Sequence, residues 1–261
     1  MPSHMSDLGF LVESKADFEA LALKALEHGT DIQTASGTYV RWSPGAGIEL
    51  WMQLDAAGDV VGLNPHYAGQ TRMRVGLTAR VPRPESSILD GAFHGWADPA
   101  DAEPESGAYP FVFDAPDYEL TGGVVVPSIC AVQLTAFAHE LKAYESEESY
   151  EAAQTGPLKY AAESFIPAGL FNAASGESTE PPQAHAIFTA RVLDTALITN
   201  PTSEREFCWA HLRTLGGELD MVADPDLLSG YLTKGGIVSG SFWLSGRVLD
   251  ARAPATDNGH S

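Results

Sequence analysis

Arg72-Met-Arg-Val-Gly-Leu-Thr-Ala-Arg-Val81 decides the fold. Met73, Val75, Leu77, Ala79 and Val81 fall on one face, and Arg72, Arg74, Thr78 and Arg80 on the other. A period of two marks a half-buried strand, because successive side chains leave a pleated backbone on opposite sides. The pattern returns 111 residues later, where Phe188-Thr-Ala-Arg-Val192 matches Leu77-Thr-Ala-Arg-Val81. Ala184, Ala186, Phe188, Ala190 and Val192 keep the apolar face, and His185 replaces Arg74 on the polar one. Gly62-Leu63-Asn64 is echoed by Gly169-Leu170 and Asn172, and Phe93 with Trp96-Ala97 by Phe207 with Trp209-Ala210. Repetition of both residues and facial phase predicts an internal duplication. The expected fold is mainly β, α+β overall, with two related small β-barrel-like modules at 71–155 and 156–252.

An N-terminal α+β segment over 8–70 precedes them. Ser14-Lys-Ala-Asp17 fits a capping box, and Phe18, Leu21, Ala22, Ala25 and Leu26 recur at helical spacing up to Gly29. A helix is therefore expected over about 15–28. Thr38–Trp42, Ile48–Leu54 and Val60–Leu63 read as strands, the last two joined by Asp55-Ala-Ala-Gly58 as a β-hairpin. Residues 1–7 read as an expression scar and a disordered start, which sets His4 aside, and 253–261 as a disordered tail.

The second module reads as a meander closed by a long strand, Ile237–Leu249, with Phe242 and Leu244 inside and Trp243 on the opposite face. Its architecture over 184–250 resembles the small Greek-key barrel of the oligonucleotide/oligosaccharide-binding type, whose tight curvature the glycines of that strand would ease. The matching element of the first module, Ser128–Leu141, fits a strand and a helix equally, and Ser146 is placed to cap a short helix after it. The loops at 98–107 and 172–183 are expected to be exposed.

The formal net charge of −20 disfavours contact with nucleic-acid phosphate and anionic lipid. No apolar run approaches the ~20 residues that cross a bilayer. Two cysteines, Cys130 and Cys208, form no Cys-x-x-Cys pair, so a thiolate metal site is not expected and a cytoplasmic location is.

Familiar catalytic motifs fail. His139-Glu140 starts a zincin pattern, but Ala143 stands where its second histidine belongs; Gly45-Ala-Gly47 starts a dinucleotide fingerprint, but Leu50 replaces its third glycine. Asp98, Asp101, Glu103 and Glu105 lack EF-hand spacing. Two constellations remain. Arg72, Arg74 and Arg80 share a strand face near Tyr67 and Trp96, a set able to hold an anionic ligand; the blander alternative is that the arginines neutralise 98–119, which carries seven acids and no base. Ile48-Glu49-Leu50-Trp51, following a Pro-Gly turn, resembles half of a vicinal-oxygen-chelate module over residues 8–70. That resemblance implies an order of strand, helix and strands and a divalent metal held by Glu49, with His66 and His94 as candidate partners; the alternative is that these histidines are hydrogen-bonded at module junctions.

The leading functional expectation is a non-catalytic ligand- or protein-binding β protein. A metal-dependent small-molecule enzyme and an acidic decoy of a basic partner are the rivals. A small molecule or a protein is the expected partner, homo-oligomerisation is open, and no cofactor is required.

Overall fold

A computed structural model describes residues 4–83, 85–157, 159–173 and 181–249. The fold is mainly β, in two sheets. Among the described residues no helix is long and apolar enough to cross a membrane.

Helix α1 (Lys15–His28) begins where the capping box places it: Ser14 Oγ accepts from the Asp17 N–H, and the Asp17 carboxylate accepts from the Ser14 N–H at 2.9 Å. Four antiparallel strands follow in chain order, β1 (Thr30–Gln33), β2 (Gly37–Gly45), β3 (Ile48–Asp55) and β4 (Val60–Tyr67). Strand β3 is buried on both faces. Ile48, Leu50 and Met52 pack with Leu21 and Ala25 of α1, whereas Glu49, Trp51 and Gln53 face the second sheet. No strand precedes α1 among the described residues, so the order implied by the chelate resemblance is not met. The disordered start also needs correction. Ser6–Leu8 is a 3-10 helix, Met5, Asp7 and Leu8 are buried, and the His4 ring stacks on Trp243 at 4.3 Å. The tail at 253–261 lies outside the described residues, as does most of the 172–183 loop.

The second sheet comprises β5 (Met73–Pro82), β6 (Gly91–Ala97), β7 (Pro110–Asp114), β8 (Ser128–Tyr144), β9 (Ser164–Ile166), β10 (His185–Thr199), β11 (Glu206–Thr214), β12 (Gly217–Ala223), β13 (Leu228–Ser229) and β14 (Ile237–Val248). Alternation resolves Ser128–Leu141 as strand, and Ser146 caps α2 (Glu147–Ala153). The sheet is ring-like, because β8 and β14 pair antiparallel over nearly their whole length and close two circuits. In one, β8 pairs β5, β5 pairs β6 and β6 pairs β7, all antiparallel, and β7 meets β14 in parallel. In the other, β14 pairs β10, β10 pairs β11 and β11 pairs β12, all antiparallel, and β12 meets β8 in parallel.

The self-contained modules expected from the sequence are thus corrected: each circuit is closed by a strand from the other half. Strand β8 has 17 residues, about three times the usual strand length, and so serves both circuits. One apolar core runs through the two, with Phe188 stacked on Phe242 at 4.0 Å. Gly240 is required where strands crowd, since a Cβ there would lie 2.0 Å from the Glu140 carbonyl oxygen.

The repeated stretches, β5 and β10, hold equivalent places: Leu77 faces Ser128, and Phe188 faces Gly240. The other echoes do not align. Gly62-Leu63 is strand, whereas Gly169-Leu170 is 3-10 helix. Phe93 pairs with Arg80, whereas Phe207 pairs with Ile198, well beyond the matched stretch. A bulge between Leu77 and Ala79 also breaks the predicted alternation and leaves Ala79 exposed.

Candidate functional site

Inside the ring, β8 and β14 present aliphatic and aromatic residues. Their outer face carries Gln133 and Thr135 from β8 and Trp243, Ser245 and Arg247 from β14. The polar edge of β3 and β4 packs on that face, so a buried polar seam runs between the sheets. Antiparallel register sets Glu49 directly opposite His66.

Both ring nitrogens of His66 are used. Nε2 lies 2.7 Å from Gln133 Oε1, and Nδ1 2.9 Å from Ser245 Oγ. The proton positions follow from the neighbours. Thr135 donates its hydroxyl proton to the Tyr67 carbonyl at 2.8 Å, so it accepts from the Gln133 amide at 2.9 Å. That amide also points at Asp220 Oδ2, 3.3 Å away. Two acceptors on one side fix the amide nitrogen there and its oxygen toward His66. His66 therefore carries its proton on Nε2 and accepts the Ser245 hydroxyl proton at Nδ1. Burial pushes the His66 pKa down to about 4, against the pull of Glu49, and the ring is neutral at pH 7.

Glu49 is buried and accepts from Arg41 and from the Trp51 indole at 2.8 Å, with Arg247 3.6 Å away. Burial alone would raise its carboxyl. Charge on His66 when protonated, and on Arg247 and Arg41, wins and holds it below the ordinary range. Arg247 also binds Asp117 at 2.9 Å.

Among the described residues the seam opens at the parallel junction that closes each circuit, β7 with β14 and β12 with β8. At the first, Asp114 pairs with Ser245 and accepts from the Trp243 indole at 2.6 Å and from Arg83 at 2.9 Å. Burial raises the Asp114 carboxyl, opposed by Arg83 and Trp243. A pocket of about 150 Å³ opens there, walled also by Asn64 and Asp90. At the second, Asp220 pairs with Thr135 and accepts from the Trp209 indole at 2.9 Å and from Thr71 Oγ1 at 2.6 Å. A groove of about 700 Å³ opens above it, between the Tyr67–Arg72 linker and the outer face of β10, β11 and β12. The chain Asp220–Gln133–His66–Ser245 joins the two openings through the seam.

The predicted site residues separate. Tyr67 and Arg72 line the groove. Arg74 binds the Pro99 carbonyl and, at 2.8 Å, Asp101, as the loop-neutralising alternative requires. Arg80 lies over the Phe93 and Tyr118 rings and binds Thr121. Trp96 sits on β6, opposite Gly76 and Pro110, and lines neither opening. His66 and Glu49 come together, but His94 is bound elsewhere, to Thr78 Oγ1 at 2.6 Å. Among the described residues no group of three or more His, Cys, Asp or Glu side chains is arranged to hold a metal. Both cysteines are free thiols.

Sequence reading missed Gln133, Ser245, Asp114 and Asp220. Their signal was polar residues alternating with core residues on strands too long to leave that face in water. No known protein family, curated protein or solved structure matches this chain.

Proposed function

We propose that the protein binds a small molecule in the groove above Asp220, and acts as a binding protein rather than an enzyme. One observation carries the reading: a cleft of about 700 Å³ at the junction of the sheets, with Tyr67 and Trp209 as aromatic contact surface and Arg72 at its rim. The fixed polar groups support binding over catalysis. Asp220 is saturated by Trp209, Thr71 and Gln133, and His211 is paired with Glu218 at 2.8 Å. An Asp220 so engaged is fixed in place to orient a ligand. An Arg72 contact suits a ligand carboxylate or phosphate.

Titrating carboxylate and phosphate fragments while following the Trp209 indole N–H by NMR tests this. The expected result is a saturable shift, weakened about tenfold or more by Arg72→Ala, as losing a charge-assisted hydrogen bond implies. Fragments that bind only elsewhere, leaving Trp209 unmoved, would refute it. The same reading takes the two strand circuits as copies of one four-strand unit; their matching order of antiparallel and parallel pairings supports this.

A further inference from the structure

We propose that the smaller opening, at the Asp114–Ser245 junction, is a binding site for a primary ammonium group. Several of the protons on its walls are already engaged. The Trp243 indole N–H goes to Asp114, and the Asn64 amide N–H to Asp90 Oδ1 at 2.8 Å. Arg83 gives Nε to Asp114 and Nη2 to the Pro182 carbonyl at 3.0 Å. The Ser245 proton goes to His66, because the amide of Gln133 fixes the ring tautomer. Lone pairs remain. Ser245 Oγ keeps its own, and Asn64 Oδ1 and Asp90 Oδ2 accept from no described residue. Two carboxyl groups, Asp90 and Asp114, face the guanidinium of Arg83.

A wall of acceptors with surplus negative charge calls for a cation that donates several hydrogen bonds. An ammonium is a compact point charge with three donors. The volume of about 150 Å³ corresponds to roughly five water molecules, enough for the head of an alkylamine. A quaternary amine would bring the charge without the donors, and an anion would meet the carboxylates of Asp90 and Asp114. The site is separate from the groove, so it stands whether or not the groove binds a ligand.

The test titrates the protein with methylammonium chloride at constant ionic strength and follows the indole N–H resonances of Trp243 and Trp209. A saturable shift of Trp243 with Trp209 unmoved is expected, with tetramethylammonium and acetate giving none. Asp90→Asn should weaken methylammonium at least about tenfold, the effect of losing one charged acceptor. Ser245→Ala, which removes a lone pair with little change of volume, should weaken it too. No saturation with methylammonium, equal saturation by tetramethylammonium, or saturation by acetate overturns the proposal. So does saturation by magnesium chloride alone at the same resonance, which would make the pocket a metal site. The wild-type comparison of probes decides the matter even if a variant fails to fold.

Discussion

Replacing Asp7 by Asn should stabilise the protein at neutral and alkaline pH and change it little in acid. Asp7 is 1% exposed, and its carboxyl accepts from the Asp224 N–H at 2.9 Å. Burial is the main force on it, joined by the nearby charge of Asp224, and together they push its pKa from 3.8 up to about 8. An acid whose pKa is raised by folding is bound more tightly to its proton in the native state. The stability this gives is complete below pH 3.8 and is lost as the pH rises through about 8. A tenfold change in proton affinity is worth about 1.4 kcal/mol, so roughly 6 kcal/mol disappears across that window, of which about 4 is already gone at pH 7. Asn keeps an oxygen to accept the Asp224 N–H but cannot ionise. Urea unfolding of both proteins from pH 4 to 9, followed by tryptophan fluorescence, should give a stability difference that grows by several kcal/mol toward pH 9. The buried histidines titrate alike in both proteins and cancel. A difference that stays flat with pH would refute the reasoning, whatever its constant offset.

Three other outcomes are expected. His66→Ala should cost about 3 to 4 kcal/mol in urea unfolding, since it leaves a void and strands Gln133 and Ser245; the native ring resists protonation until about pH 4, so wild-type stability should fall as pH drops from 6.5 toward 4, with a shallower fall in the variant. Glu49→Gln should cost about 3 kcal/mol, because Arg41 loses its buried counter-charge and Arg247 keeps only Asp117; an unchanged urea midpoint contradicts that pairing. Gly69→Ala should displace the Asp220 carboxylate, since a Cβ there would lie 1.9 Å from Oδ2; a destabilisation of about 2 kcal/mol and a moved Trp209 indole resonance are expected, and an unmoved one counts against the contact.

Helix α1 was legible to the residue because everything that delimits it is local: Ser14 and Asp17 lie three apart, and Gly29 closes the last turn. The repeated stretch was legible for the same reason, since alternation needs only neighbours. What it hid was non-local. The bulge after Leu77 turns the chain over without changing the spacing of apolar residues. The exchange of strands between circuits depends on β8 being long enough to reach two partners, and no residue type announces that. Trp243 was placed correctly on the outer face, because its alternation with Phe242 and Leu244 left no other position. His66 and Glu49 were paired, but through a resemblance that pointed to metal chemistry, whereas hydrogen bonds occupy both imidazole nitrogens. Arg74 and Arg80 looked available only because the loops that engage them are distant in the chain.

The shared β8–β14 pair bears on how the chain folds. Neither half can complete its own circuit, so the 71–155 segment made alone should fail to fold cooperatively. The contacts that matter most join residues about 100 apart, which makes contact order high and the folding rate slow. Until β14 leaves the ribosome, the β14-facing edge of β8 is unpaired from Val132 to Tyr144, and a nascent chain in that state would depend on chaperones to keep that edge from pairing with another chain.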